Sequence, residues 1–190
     1  MAESARLARP TLGWKDFEEM LGSELISVTG GLLAGTMLTF ATGQIALVPG
    51  LFILLPGFLE MRGNISGTLA ARLGSGLWTG ALQPRIRRNR ILRGNLVADI
   101  VLAVAVSAVL GIVAYLASSV LFGINNVALI YVAVIAGVLS TVIEIPATVL
   151  VTFWFFKHGH DPDNIMGPYV TTMGDIISIT SLLAAMIVVM

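Results

Sequence analysis

The chain has no cysteine. Disulfides, thiolate metal sites and thiol catalysis are therefore excluded, and the redox compartment stays open. Charge is also scarce. Asp, Glu, Lys and Arg make up 12% of the residues, about half the share of a soluble domain. Histidine occurs only at His158 and His160, in one loop. No Ser–His or other basic catalytic cluster can therefore sit within a hydrophobic segment. No nucleotide-binding motif occurs. The start lacks a short apolar core followed by a small-residue cleavage site, so no removable signal peptide is expected. What is abundant is apolar side chain: 56% of residues are hydrophobic and the mean hydropathy is +0.92. At 190 residues there is room for one domain. Hydrophobic segments fill most of it, so the chain reads as an all-α integral membrane protein.

In chain order, residues 1–23 form a mixed segment with Arg6, Arg9, Pro10, Trp14, Lys15, Asp16, Glu18 and Glu19. Leu12, Trp14, Phe17, Met20 and Leu21 recur at helical spacing. This predicts a short amphipathic helix at the cytoplasmic membrane interface, acting as an anchor, with a regulatory role as the other reading. Residues 24–190 are expected to form a five-helix membrane domain. Leu25–Phe40 is the first span, where Gly31-x-x-x-Gly35 permits close helix approach. Ala41–Gln44 is a turn without charge. Ile45–Leu82 is too long for one ordinary span: unbroken, it would run roughly 55 Å against a hydrocarbon core of about 30 Å. Pro49, Pro56, Gly57 and Gly63 can bend it, and Glu60, Arg62, Asn64, Ser66, Thr68 and Arg72 cluster in its second half. The expectation is a long bent helix whose inner half faces protein or water. Glu60 and Arg62 either are neutralised, by each other or by other partners, or serve ion passage.

Gln83–Gly94 carries five arginines and no acid. Between two membrane segments this is the positive-inside signature, favoured over a nucleic-acid site. Leu96–Leu121 is the third span, with Asp99 near its start, where the helix dipole and the loop arginines favour an acid. Phe122–Asn126 is an uncharged turn. Val127–Phe156 is the fourth span. Glu144 lies deep within it, two residues before Pro146, and Ser140, Thr141 and Thr148 share its face; function and structural hydrogen bonding stand level there. Lys157–Gly167 holds His158, His160, Asp161 and Asp163. Their spacing is not that of a closed zinc or calcium site, and Asp163 or Asn164 can cap the next helix. Ile165–Met190 is the fifth span.

Asp175 lies about halfway along that last span. An ionised side chain at bilayer depth is costly, which makes it a functional-site candidate by default. Thr171, Thr172 and Ser178 lie four before, three before and three after it, on the same side of a helix. The stripe either lines a cation path or forms structural hydrogen bonds to a neighbouring helix. The charged loops alternate with uncharged ones, which puts the N-terminus in the cytoplasm and the C-terminus outside.

Two stretches resemble a known family. The run from Leu55-Pro56-Gly57 through Glu60-Met61-Arg62-Gly63-Asn64 to Thr68-Leu69-Ala70-Ala71-Arg72 resembles the second helix of the MgtE magnesium transporter family, and is closer to its eukaryotic solute-carrier branch. Asp161-Pro162-Asp163-Asn164, Pro168 and Thr171-Thr172-Met173-Gly174-Asp175 resemble the family's fifth helix, and Pro146 matches a proline in its fourth. The resemblance extends from about Glu24 to Met190. It implies a homodimer with a transport path on the two-fold axis, lined by the second and fifth helices. It puts the metal at Asp175, Thr171 and Gly167, although the bacterial pattern has asparagine where Gly167 stands. Glu60, Asn64, Thr68, Thr172, Ser178, Glu144 and Asp99 are pore-lining or accessory candidates. Bacterial members also carry a cytosolic helical domain and paired CBS domains. About two dozen residues precede the first span here, so a single-repeat form without that sensor is expected.

The expected function is a transporter or channel for a largely hydrated divalent cation, Mg²⁺ foremost, in the cell membrane. Its partners are a second copy and membrane lipid, with no nucleic acid and no nucleotide; Mg²⁺ is substrate and no enzyme activity is expected. Other readings are a non-transporting membrane assembly module and, less favoured, a membrane enzyme acting on lipid phosphate.

Overall fold

The computed structural model describes residues 13–86 and 89–189. Arg6, Arg9, Pro10 and Leu12 of the N-terminal segment, and Arg87 and Arg88 of the basic run, lie outside the described residues. The described chain is helical, with no strand. Its elements are α1 (Trp14–Ala46), α2 (Leu51–Trp78), α3 (Arg90–Phe122), α4 (Ala128–Lys157) and α5 (Pro162–Val189). Four of them, α1, α3, α4 and α5, are long and apolar enough to cross a membrane. At 28 residues α2 also has spanning length, but Glu60, Arg62, Asn64 and Arg72 lower its hydropathy.

Several boundaries differ from expectation. The amphipathic stretch and the first span are one helix, because nothing in Gly22-Ser23-Glu24 breaks it; the Ser23 hydroxyl bonds back to the Met20 carbonyl at 2.9 Å. Helix also continues through Ala41–Gln44. The reversal comes at 47–50 instead, where Pro49 disfavours helical backbone at Val48 and the Leu51 N–H bonds the Val48 carbonyl at 2.8 Å. The second helix is therefore shorter than predicted. It ends before Gly80, whose φ of 73° is a left-handed conformation that glycine adopts without steric cost. The third helix starts early, at Arg90, because the Asn89 side chain caps it by accepting from the Ile91 N–H at 2.8 Å. The fifth also starts early. Pro162 occupies its first position, and the capping side chain is Asp161, which accepts from the Asp163 N–H at 3.0 Å, rather than Asp163 or Asn164.

The helix α5 packs on α4, α1 and α2, and α4 in turn packs on α3 and α2, while α1 packs chiefly on α5. Leu54, Phe58, Leu129, Val132, Leu182 and Met186 form the main core at one end. Leu69, Leu73, Leu92, Val149 and Phe153 form a second core towards the other. Without a hydrophobic drive between helices in lipid, close approach depends on small residues. A Cβ on Gly137 would lie 2.1 Å from the Ser107 hydroxyl, and one on Gly111 would lie 2.9 Å from the Ile130 Cα. These two glycines let α3 and α4 touch. The predicted Gly31 and Gly35 have nothing within 4 Å of such a Cβ; it is Gly30 that meets α5, at Thr172.

Candidate functional site

On α2, Glu60, Asn64 and Thr68 succeed one another by one turn, and all three are exposed. The Asn64 amide donates to the Glu60 carboxylate at 3.1 Å, and the Thr68 hydroxyl returns to the Asn64 carbonyl. On α5, Gly167 and Thr171 are exposed and Asp175 is partly so, again one turn apart. The Thr171 hydroxyl donates to the Gly167 carbonyl at 3.1 Å. The two helices run side by side: a Cβ on Gly67 would be 3.8 Å from Val170, and one on Gly74 would be 2.7 Å from the Asp163 carboxylate. They thus present adjoining rows of exposed polar groups. Much of the remaining exterior is apolar, as with Ile100, Val101, Val120, Val142 and Ile187.

The stripe around Asp175 divides. Thr171 stays beside it on the exterior. Thr172 turns to α1, where its hydroxyl reaches the Ser27 hydroxyl at 2.8 Å. Ser178 is fully buried and its hydroxyl has no partner. Asp175 takes no hydrogen bond or ion pair among the described residues. No three His, Asp or Glu side chains converge as a metal cage among the described residues.

Two other intramembrane carboxylates, Glu144 and Asp99, are paired with arginines inside the protomer. Arg62 is 0% exposed and its Nη2 donates to Glu144 Oε2 at 2.7 Å; Glu144 is 3% exposed. Arg62 Nη1 donates to the Thr141 hydroxyl at 2.9 Å, and the Ser66 hydroxyl donates to Glu144 Oε2 at 2.8 Å. Ser140 and Thr148 are buried on the same helix. Glu60 is therefore not the partner of Arg62. Residues two apart on a helix point to different sides, and that geometric signal was available in the sequence. Asp99 sits nine residues after Arg90, beyond the reach of the helix N-terminus. It is buried, and its partner is Arg72 of α2 rather than a loop arginine.

At the α4–α5 loop, Glu19 of α1 gathers His160 Nδ1 at 2.9 Å, the Asn164 amide at 3.2 Å and the Asp161 N–H at 3.3 Å. The Lys15 ammonium donates to the Gly159 carbonyl at 2.8 Å. The loop thus serves as an attachment point for α1, and His158 turns instead to the Trp154 carbonyl at 2.7 Å.

The family model described as MgtE, divalent cation transporter, matches residues 55–185. Solute carrier family 41 member 3 of Rattus norvegicus is 32% identical over 179 residues, covering 88% of this chain and 36% of the relative. Solute carrier family 41 member 2 of Mus musculus and of Homo sapiens are each 30% identical over 146 residues, covering 71% of this chain and 24% of the relative. The chain thus spans about a third or less of the length of these curated relatives. No solved structure matches it.

Proposed function

Because the chain belongs to the MgtE family of divalent cation transporters, we propose that it moves a largely hydrated divalent cation, Mg²⁺ foremost, along a path lined by α2 and α5 at the two-fold axis of a homodimer. One observation carries this reading: the adjoining rows Glu60, Asn64, Thr68 and Gly167, Thr171 are exposed at membrane depth, with Asp175 partly so. Polar and ionised side chains there face a bundle interior or a water-filled path, not lipid. A second copy supplies that environment, and a two-fold axis is the commonest way for identical chains to meet.

The chemistry fits a divalent ion. Mg²⁺ prefers oxygen ligands in octahedral geometry and gives up its waters reluctantly, so a few carboxylate, hydroxyl and carbonyl oxygens can hold it hydrated. Two Asp175 side chains brought together repel, and a divalent cation between them relieves the repulsion. Thr171 and the backbone at Gly167 continue the oxygen row on α5, with Glu60, Asn64 and Thr68 opposite. An inside-negative potential of about 100 mV favours inward movement of a doubly charged ion by about 4.6 kcal/mol, enough to drive uptake without nucleotide. The orientation that goes with this reading has the N-terminus and the basic 83–94 loop in the cytoplasm of a cell whose outer membrane boundary the protein spans.

Proteoliposomes loaded with a Mg²⁺-sensitive dye test the proposal. Flux is expected from the unsubstituted chain and its loss from Asp175→Ala. Absence of flux under every imposed gradient rejects transport, and full flux in Asp175→Ala moves the path elsewhere. The lack of native cysteine makes Asp175→Cys a clean reporter of the axis. A disulfide between two chains is expected, and its failure in an assembled dimer puts the path within one protomer.

A further inference from the structure

The buried pair Arg62–Glu144 stands apart from the exposed polar rows, yet it lies at the same depth and joins α2 to α4. We infer that Arg62 and Glu144 are positioning residues: a charge-neutral clasp that sets the rotation of α2 and so keeps Glu60 and Asn64 turned towards the path. The inference rests on the transport reading above for what the clasp is for, and on the geometry alone for what it does.

Three bonds define the clasp, all between α2 and α4. Arg62 donates from one nitrogen to Thr141 at 2.9 Å and from another to Glu144 at 2.7 Å, and Ser66, one turn on, donates to the same Glu144 oxygen at 2.8 Å. The planar guanidinium fixes the angle between its two bonds, so the set is satisfied in one register and one rotation. At 100° per residue, Glu60 and Asn64 each project about 160° from Arg62 around α2. Holding Arg62 inward therefore holds both of them outward.

Adhesion alone does not account for these residues. A buried ion pair must overcome the desolvation of both charges, and apolar residues of similar volume often hold as well or better. What an apolar pair lacks is direction. On α2 the buried face carries Arg62 and Ser66 among apolar residues while the exposed face carries Glu60, Asn64 and Thr68, and lipid supplies no hydrophobic drive to fix its rotation. Arg62 Nε and Glu144 Oε1 are buried without partners among the described residues, so the pair is not optimised for stability. The small residues Gly63 and Gly67, partly exposed beside the clasp, leave room for the helix to turn if it is released.

The test uses the full cysteine-free chain in proteoliposomes. Asn64→Cys, labelled by a charged, membrane-impermeant thiol reagent, reads whether position 64 faces water. Mg²⁺ flux, measured with Asn64 intact, reads KM and maximal rate separately. The double replacement Arg62→Met with Glu144→Met removes both charges without leaving one unpaired. With helix content unchanged, we expect labelling slowed by about 10-fold and KM raised by about the same factor. A folded double variant with unchanged labelling and unchanged KM overturns the inference, and so does slowed flux with unchanged labelling, which would mean a general loss of stability. Should the double variant not fold, Arg62→Lys carries the test. It keeps the charge but loses the fork that reaches Thr141 and Glu144 together, and slowing by about 3-fold is expected; unchanged labelling and KM overturn the inference there too. If the unsubstituted chain shows no flux while labelling still slows in the variants, the transport reading fails and the clasp stands.

Discussion

Asp175 and Glu144 are both carboxylates midway along apolar helices, and the chain treats them in opposite ways. Glu144 is 3% exposed and receives Arg62 and Ser66 at 2.7 and 2.8 Å. Asp175 is partly exposed, lies beside Thr171 on the exterior, and takes no partner among the described residues. A charge at membrane depth must be neutralised by something. For Glu144 the protomer supplies the countercharge. For Asp175 the described residues supply none, and in the transport reading proposed above a second copy and a cation complete the place. The difference separates a carboxylate tied into the protomer from one left on its exterior, although their positions along the helices are alike.

The largest expected effect comes from unmaking the internal pair. Glu144→Leu leaves Arg62 buried with no countercharge, which costs about 3–5 kcal/mol. Thermal unfolding in detergent should show a large drop in midpoint, or the protein should fail to accumulate. If Glu144→Leu is as stable as the parent, Arg62 has another partner and the contrast between the two carboxylates collapses. Asp175→Ala should behave in the reverse way. It removes a charged ligand whose contribution of about 1.5–3 kcal/mol corresponds to roughly a 10- to 150-fold fall in Mg²⁺ flux. Unfolding should be unchanged or shifted slightly upward, since an unpaired acid has been removed. A marked loss of stability in Asp175→Ala would assign it to the fold as well.

This contrast was only partly legible in the sequence. The five helices and their order follow from hydrophobic length, and the α2 row follows from the four-residue spacing of Glu60, Asn64 and Thr68. Of the residues expected to share a face with Asp175, Thr171 is exposed beside it, while Thr172 hydrogen-bonds a neighbouring helix and Ser178 is buried. Thr172 and Ser178 sit about 60° to either side of Asp175, at the margins of the stripe, where neighbours decide. On one margin α1 covers Thr172 through Ser27 and Gly30. At the level of Ser178, α5 buries Ile177, Ser178 and Ile179 in succession, so Ser178 falls inside the covered arc. Periodicity describes one helix, whereas the covering helices are tertiary facts. The partner of Asp99 was hidden for a related reason. The third helix begins at Arg90 because Asn89 caps it, and that start moves Asp99 away from the dipole and into reach of Arg72.

The two threonines one turn before each carboxylate sharpen the comparison further. Thr141 accepts from Arg62 at 2.9 Å, and Thr171 stands on the exposed row before Asp175. Thr141→Val removes the acceptor of a buried guanidinium N–H and should cost about 1–3 kcal/mol of stability. It should change KM less than it changes the unfolding midpoint. Thr171→Val should leave unfolding within about 0.5 kcal/mol of the parent, as expected for an outward position, while raising the KM for Mg²⁺. If Thr141→Val raises KM as much as Thr171→Val does and leaves the unfolding midpoint unchanged, the two threonines are not functionally distinct.

The smallest effect is expected at Glu60, and it bears on where the path ends. Glu60 is exposed and its one partner is the neutral Asn64 amide at 3.1 Å. Its charge can attract a cation electrostatically without having been built into a cage, so its influence should be screened by salt. Glu60→Gln preserves the Asn64 contact and removes only that charge. A rise in KM of about 2- to 3-fold at low ionic strength, shrinking towards 1 M salt, is the expected result. A salt-independent loss as large as that of Asp175→Ala would mean that Glu60 touches the ion directly. The site would then extend across both helices of each copy, and the open place left by the protomer would be shared between α2 and α5 rather than centred on Asp175.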